Sequence, residues 1–143
     1  MSHLSLDSAA RIVDAALEHA RTLKLKPLTV AVLDAGGHLV AFKRQDRSGI
    51  LRPDIAQGKA WGALGMGIGG RALAERAQQA PAFFVALASA SGGRVIPVPG
   101  GVLIKSGSDE IVGAVGISGD HPDNDEACAI YAIEQAGLTA QPG

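Results

Sequence analysis

The residues best suited to chemistry lie in Ser118-Gly119-Asp120-His121-Pro122, directly after the almost wholly apolar run Ile111 to Ile117. A carboxylate beside an imidazole at the end of a central strand can move a proton, or it can simply form a polar surface corner. One histidine and one aspartate do not make a metal site, and none is expected. Two cations can serve such a centre. Arg52 and Lys59 are seven residues apart, so on a helix they share one face and can hold a carboxylate or propionate. Lys59 sits among Ala, Gly and Trp61, where a purely solvated lysine is less expected; for Arg52 a solvated role is equally good. Pro99-Gly100-Gly101 marks a turn whose amides can face a ligand or an enolate. Asp34 ahead of a Gly-Gly pair reads most simply as a turn residue bonding its own backbone. Phe83 and Phe84 supply most of the remaining aromatic surface, for core filling or for lining an apolar slot.

Other chemistries are excluded by type and spacing. Gly65-Met66-Gly67-Ile68-Gly69-Gly70 has the letters of a dinucleotide fingerprint, but a helical segment precedes it where a strand is required. No Gly-Lys-Ser/Thr phosphate loop is present. The single cysteine, Cys128, excludes an intramolecular disulfide and a multi-cysteine cluster, and its place in a helical pattern suits a buried thiol. A formal net charge of −1, with 19% charged and 47% hydrophobic residues, steers the chain to neither nucleic acid nor an anionic membrane. Met1 to Asp7 lacks the basic start and apolar block of a signal peptide. No apolar run approaches the roughly 18 residues of a membrane span. A cytoplasmic protein of one domain, residues 1–143, is expected.

The elements that must position these groups follow from periodicity and breakers. Ser5 is placed to cap a helix whose apolar face is Leu6, Ala9, Ile12, Val13, Ala16, Leu17, Ala20 and Leu23, and Pro27 stops it. Leu28–Asp34 and Leu39–Arg44 read as a hairpin across Ala35-Gly36-Gly37-His38. Ile50 to Ala90 is helical and alanine-rich, broken near Gly65–Gly70 and before Pro81. Within it Gly58, Gly62, Gly65 and Gly69 form a smooth ridge that admits another backbone, or else end the helix. Strands are expected at Val95–Val98, Val102–Lys105 and Glu110–Ser118. A last helix covers Asp123 to Gln135, with Asp123 as its cap, Glu126 three residues on, and Asp125 favoured by the helix dipole. Gly137 ends it, and the tail beyond should be loose. With 19 glycines in 143 residues, far above the usual ~7%, and 3% aromatics, packing relies on small aliphatic side chains.

Taken together, VAVLDAGGHLVAFKR, the Lys59-Ala60 pair on the next helix, and PVPGGVLIKSGSDEIVGAVGISGDHPDNDEACA resemble the GlcG/HbpS family of haem-degrading or haem-binding domains. The chain is similar also to the C-terminal domain of PduO-type proteins. The likeness is collinear from Leu4 to Leu138. It implies an α/β (α+β) fold of profilin-like type, about five antiparallel strands with helices packed on them, and a homo-oligomer larger than a dimer. It implies ligand contacts at Asp34, Lys59, Pro99, Gly100, Gly101, Gly119 and Asp120, to which Arg52 and Phe83 are added from the residues themselves. Some members bind haem and others accompany cobalamin or glycolate metabolism, so haem is the first cofactor to consider; the resemblance transfers no axial ligand. The alternative is a small catabolic isomerase or lyase for an oxo- or hydroxy-acid. There Arg52 or Lys59 would hold the carboxylate and His121 or Asp120 would move the proton. A third reading is a non-catalytic oligomeric accessory protein.

Overall fold

The computed structural model describes residues 3–143. Five helices and five strands follow in the order α1 (Leu6–Thr22), β1 (Thr29–Asp34), β2 (Leu39–Arg44), α2 (Arg52–Met66), α3 (Gly70–Gln79), α4 (Pro81–Ala90), β3 (Gly101–Lys105), β4 (Ile111–Ser118), α5 (Pro122–Gln135) and β5 (Thr139–Gln141). The strands form one sheet in the order β2-β1-β4-β3-β5, and every pairing is antiparallel. This is the expected α+β architecture.

Strand alternation divides the core between the two faces of the sheet. Val30, Val32, Val102, Ile104, Val115 and Ile117 turn to one face, where α1 and α5 cover them with Ile12, Val13, Ala16, Cys128, Ala129 and Ile133. Leu33, Leu103 and Ala114 turn to the other, against Ala60 and Ala63 of α2. α2 can lie very close to the sheet because both sides are small. A Cβ at Gly116 would run into the Ala56 carbonyl, and one at Gly101 would run into that of Lys59. Ser5 caps α1 as its spacing predicts, accepting from the Ser8 amide at 3.1 Å.

Two expectations need correction. Val95–Val98 is not a strand. Its Ile96 amide bonds the Gly58 carbonyl of α2 at 3.2 Å, so the segment crosses a helix, and Pro97 removes one of the donors that a ladder would use. The fifth strand is instead β5, in the tail expected to be loose, paired with β3 from Leu103↔Gln141 to Lys105↔Thr139. The glycine ridge does admit another backbone, as expected, at three of its four positions. Gly58 and Gly62 receive the 94–96 segment, Gly69 is filled by Pro142, and Gly65 has open space beside Trp61.

Candidate functional site

The sequence-predicted groups, Phe83 excepted, separate into two places. The first lies where β4 meets α5. Lys59 of α2 is buried, and its Nζ donates to the Ile117 carbonyl at 2.9 Å and to Asp125 Oδ2 at 3.2 Å. Asp125 is equally buried, and its other oxygen accepts from the Asp120 amide at 3.0 Å. Burial pushes the Lys59 ammonium down from its ordinary value and pushes the Asp125 carboxyl up, against their mutual attraction. Gly100, at φ +116°, leaves room for the Lys59 amine, and Gly101 lies on the Lys59 carbonyl. Arg52 joins the edge of this cluster, donating to Ser118 Oγ at 3.0 Å. Lys59, Gly100, Gly101, Gly119 and Asp120 are therefore brought together, with Pro99 beside them in the turn. They gather around an internal carboxylate, and the Lys59 side chain is only 3% exposed.

Asp120 and His121 organise the strand-to-helix corner. The Asp120 carboxylate accepts from the Asn124 side chain at 2.7 Å, the His121 amide at 2.7 Å and the Lys26 amide at 2.9 Å. Those bonds, the one from Asn124 foremost, hold it below its ordinary value. His121 is the N-cap of α5, its Nδ1 accepting from the Asp123 amide at 3.2 Å. This corrects the expected capping box. Asp123 and Glu126 are engaged by Arg71 of α3, which tethers α3 to α5 and leaves the cap to the imidazole. Cys128 is buried, and burial raises its thiol to about 11, well away from thiolate chemistry.

The second place is a cleft of about 550 Å³ on the α2 face of the sheet. It is bounded by the β1–β2 turn, by α2 and by the turn that follows α4. Its apolar floor is Leu33 and Trp61, and its polar groups are Asp54, Gln57 and Arg94. The Arg94 guanidinium stands 3.9 Å from the centre of the Trp61 ring, a cation–π arrangement. Its Nε is tied to the Ser91 carbonyl at 2.8 Å, which aims the fork while leaving the two terminal nitrogens without a partner among the described residues. Gly92 and Gly93 take φ of +68° and +79°, a turn that L side chains resist, and neither position is crowded. Gly37, at φ +83°, presses the β1–β2 turn onto the indole, 3.0 Å separating its Cβ position from Trp61 Nε1.

Asp34 belongs to that same turn. Its Oδ1 accepts from the Gly36 amide at 3.0 Å, the His38 amide at 3.0 Å and the His38 ring Nδ1 at 3.1 Å. Burial pulls its pKa upward, but these bonds and the imidazole outweigh it and hold the carboxylate below 3.8. Phe83 lies in neither place. It is 53% exposed on α4, edge-on to Phe84 with centroids 5.6 Å apart. Among the described residues no group of three or more His, Cys, Asp or Glu is placed to hold a metal ion.

The Trp61–Arg94 cleft was not assembled by sequence reasoning, although its signals were present. The lone tryptophan and a Gly-Gly pair followed directly by an arginine are visible in the chain, but nothing local says that they meet.

The profile of the family described as "Haem degrading protein HbpS-like" matches residues 4–134. The chain belongs to the HbpS-like family. Among solved structures it is similar to that of a PduOC–haem complex, with 27% identity and a TM-score of 0.86 over 96% of this chain and 97% of that one. Streptomyces reticuli HbpS, in a doubly substituted form, gives 26% identity and a TM-score of 0.81 over 94% of this chain and 88% of that one. Klebsiella pneumoniae protein ORFY gives a TM-score of 0.85 over 96% and 93%, and at 23% identity it speaks to the fold alone. No curated protein matches the chain closely enough to count as a relative. The five-stranded antiparallel sheet with helices on both faces is thus the architecture of this family.

Proposed function

We propose that this HbpS-like protein binds haem or a related tetrapyrrole in the Trp61–Arg94 cleft. The observation that carries the reading is the pairing of an indole with a guanidinium whose outer nitrogens are uncommitted. A tetrapyrrole is a large apolar plane with carboxylates along one edge, and the cleft offers an apolar ring, Leu33 and a carboxylate-binding fork together. Its volume, about 550 Å³, falls in the range of about 300–1,000 Å³ usual for small-molecule sites. The glycines at 37, 92 and 93 keep side chains out of the way. Asp54 gives the opposite polarity to one wall, so propionates should turn toward Arg94 and away from it. The similarity to a PduOC–haem complex supports the same ligand class. Haem, when bound, supplies an iron centre whose free axial positions can take a protein or solvent ligand.

The reading extends to a homo-oligomer larger than a dimer. α4 carries no charged residue and has no buried residue, and Phe83 and Val85 are 53% and 73% exposed on it. Ile50 and Leu51, ahead of α2, are 90% and 65% exposed. A second copy is a fitting cover for so uncharged a helix, since apolar surface on both sides leaves no charge unpaired.

Hemin titration followed in the Soret region tests the ligand. Saturable binding at one hemin per chain is expected. A linear, non-saturating response like that of a non-binding protein would overturn the proposal.

A further inference from the structure

We infer that Asp54 selects among tetrapyrroles, excluding from the cleft those that carry carboxylates on more than one edge. The inference rests on the reading that the cleft takes a haem-like ligand. It adds the residue that sets the specificity.

The cleft carries two opposite charges that do not meet. Asp54 and Arg94 both line it. Arg94 stands over Trp61 with its outer nitrogens unpartnered, and the Asp54 carboxylate makes no hydrogen bond or ion pair among the described residues. On α2, Asp54, Gln57 and Trp61 follow at spacings of three and four, so they share one helix face, and all three line the cleft. A rise of about 1.5 Å per residue separates Asp54 from Trp61 by about 10 Å along the helix axis. The guanidinium at the Trp61 end and the carboxylate at the other therefore polarise the cleft along its length.

The Asp54 end offers nothing to a second carboxylate. The Gln57 Nε2 donor is turned onto the Pro53 carbonyl at 3.3 Å, so its amide presents the oxygen. Arg52, the nearest cation on the helix, donates to Ser118 Oγ at 3.0 Å and does not line the cleft. The side chains at that end are therefore acceptors. Protoporphyrin IX has both propionates on one edge, so it can lay that edge on Arg94 and turn its apolar edge to Asp54. Coproporphyrin III has a propionate on each of its four pyrroles and brings at least one toward Asp54 in any orientation. Even at the dielectric of water, two like unit charges about 4 Å apart weaken binding about fivefold. A larger ligand could also be refused on size, and an isosteric change of the carboxylate to an amide separates charge from size.

The test titrates the full chain with metal-free protoporphyrin IX and coproporphyrin III, followed by porphyrin fluorescence. The variants are Asp54→Asn, Asp54→Lys and, as a control, Asp7→Asn. Asp7 lies in the first turn of α1 as Asp54 lies in that of α2, so the control removes the same charge from a matching helix position on the opposite face of the sheet. Circular dichroism checks that each variant folds. Wild type should bind protoporphyrin IX at least about fivefold more tightly than coproporphyrin III. That ratio should shrink as salt rises, because Asp54 is exposed. Asp54→Asn should remove most of the difference by tightening coproporphyrin III, with protoporphyrin IX little changed. Asp54→Lys should reverse the preference, and Asp7→Asn should behave as wild type. A wild-type ratio near one, an unchanged ratio in Asp54→Asn, or an equal change in Asp7→Asn would overturn the selecting role while leaving the cleft reading intact. Absence of saturable protoporphyrin IX binding by the wild type would overturn both.

Discussion

Replacing Lys59 by Met removes the cation from a site that is closed to water. The Lys59 and Asp125 side chains are 3% and 1% exposed, so solvent cannot take over the charge left behind. Asp125 would keep only the Asp120 amide, and the Ile117 carbonyl would lose its bond from the ammonium. Removing one partner of a buried pair in this way typically costs about 3–5 kcal/mol. Against a total stability of about 5–15 kcal/mol for an ordinary domain, that is a large fraction. The double variant Lys59→Met, Asp125→Asn should recover part of the loss, because an amide still accepts from Asp120 and no unpaired charge remains. Urea unfolding followed by circular dichroism gives the midpoints and slopes for wild type, both single variants and the double. A Lys59→Met loss below about 0.5 kcal/mol, the size expected for an exposed cation, would refute the reasoning.

Two further predictions address acid sensitivity and assembly. Asp120 is held below its ordinary 3.8, chiefly by Asn124 and then by the Lys26 and His121 amides, so its share of stability is complete above pH 3.8 and is lost as pH falls through the folded value. Asp120→Asn should therefore flatten the dependence of the urea midpoint on pH in that acid window; an unchanged slope would count against it. Val85→Glu places a charge on the exposed face of α4, 73% exposed in one copy, and should shift the oligomer toward smaller species in light scattering. A wild-type protein that is monomeric across a wide concentration range, or a variant with unchanged mass, would contradict the proposed interface.

Local signals carried most of the fold and little of the site. Ser5, Pro27, the Asp34–Gly37 turn and the continuous apolar runs of β1, β3 and β4 are each read from a few neighbouring residues, and the structure places elements there. Val95–Val98 misled because an extended apolar segment looks the same whether its backbone bonds a strand or the Gly58 carbonyl of a helix. β5, at three residues, is too short to show a period of two. Asp125 looked like a dipole-favoured residue of a helix first turn, because its partner Lys59 lies 66 positions away and nothing in either neighbourhood announces the other. Trp61 and Arg94 met for the same reason only in three dimensions, once the 94–96 segment crossed α2 at Gly58 and Gly62. A capping imidazole at His121 was hidden by the better-known signature of Asp123 and Glu126.

The central claim is that the Trp61–Arg94 cleft holds a tetrapyrrole by its carboxylate edge. It is tested most directly by the hemin dissociation constant of Arg94→Ala beside that of Arg11→Ala, whose arginine lies on α1 across the sheet and bonds the Gln135 carbonyl. Loss of a charge-assisted contact of about 1.5–3 kcal/mol predicts binding weakened about tenfold to a hundredfold in Arg94→Ala. Arg11→Ala should bind as the wild type does. Wild-type affinity in Arg94→Ala, or an equal loss in both variants, would contradict the account.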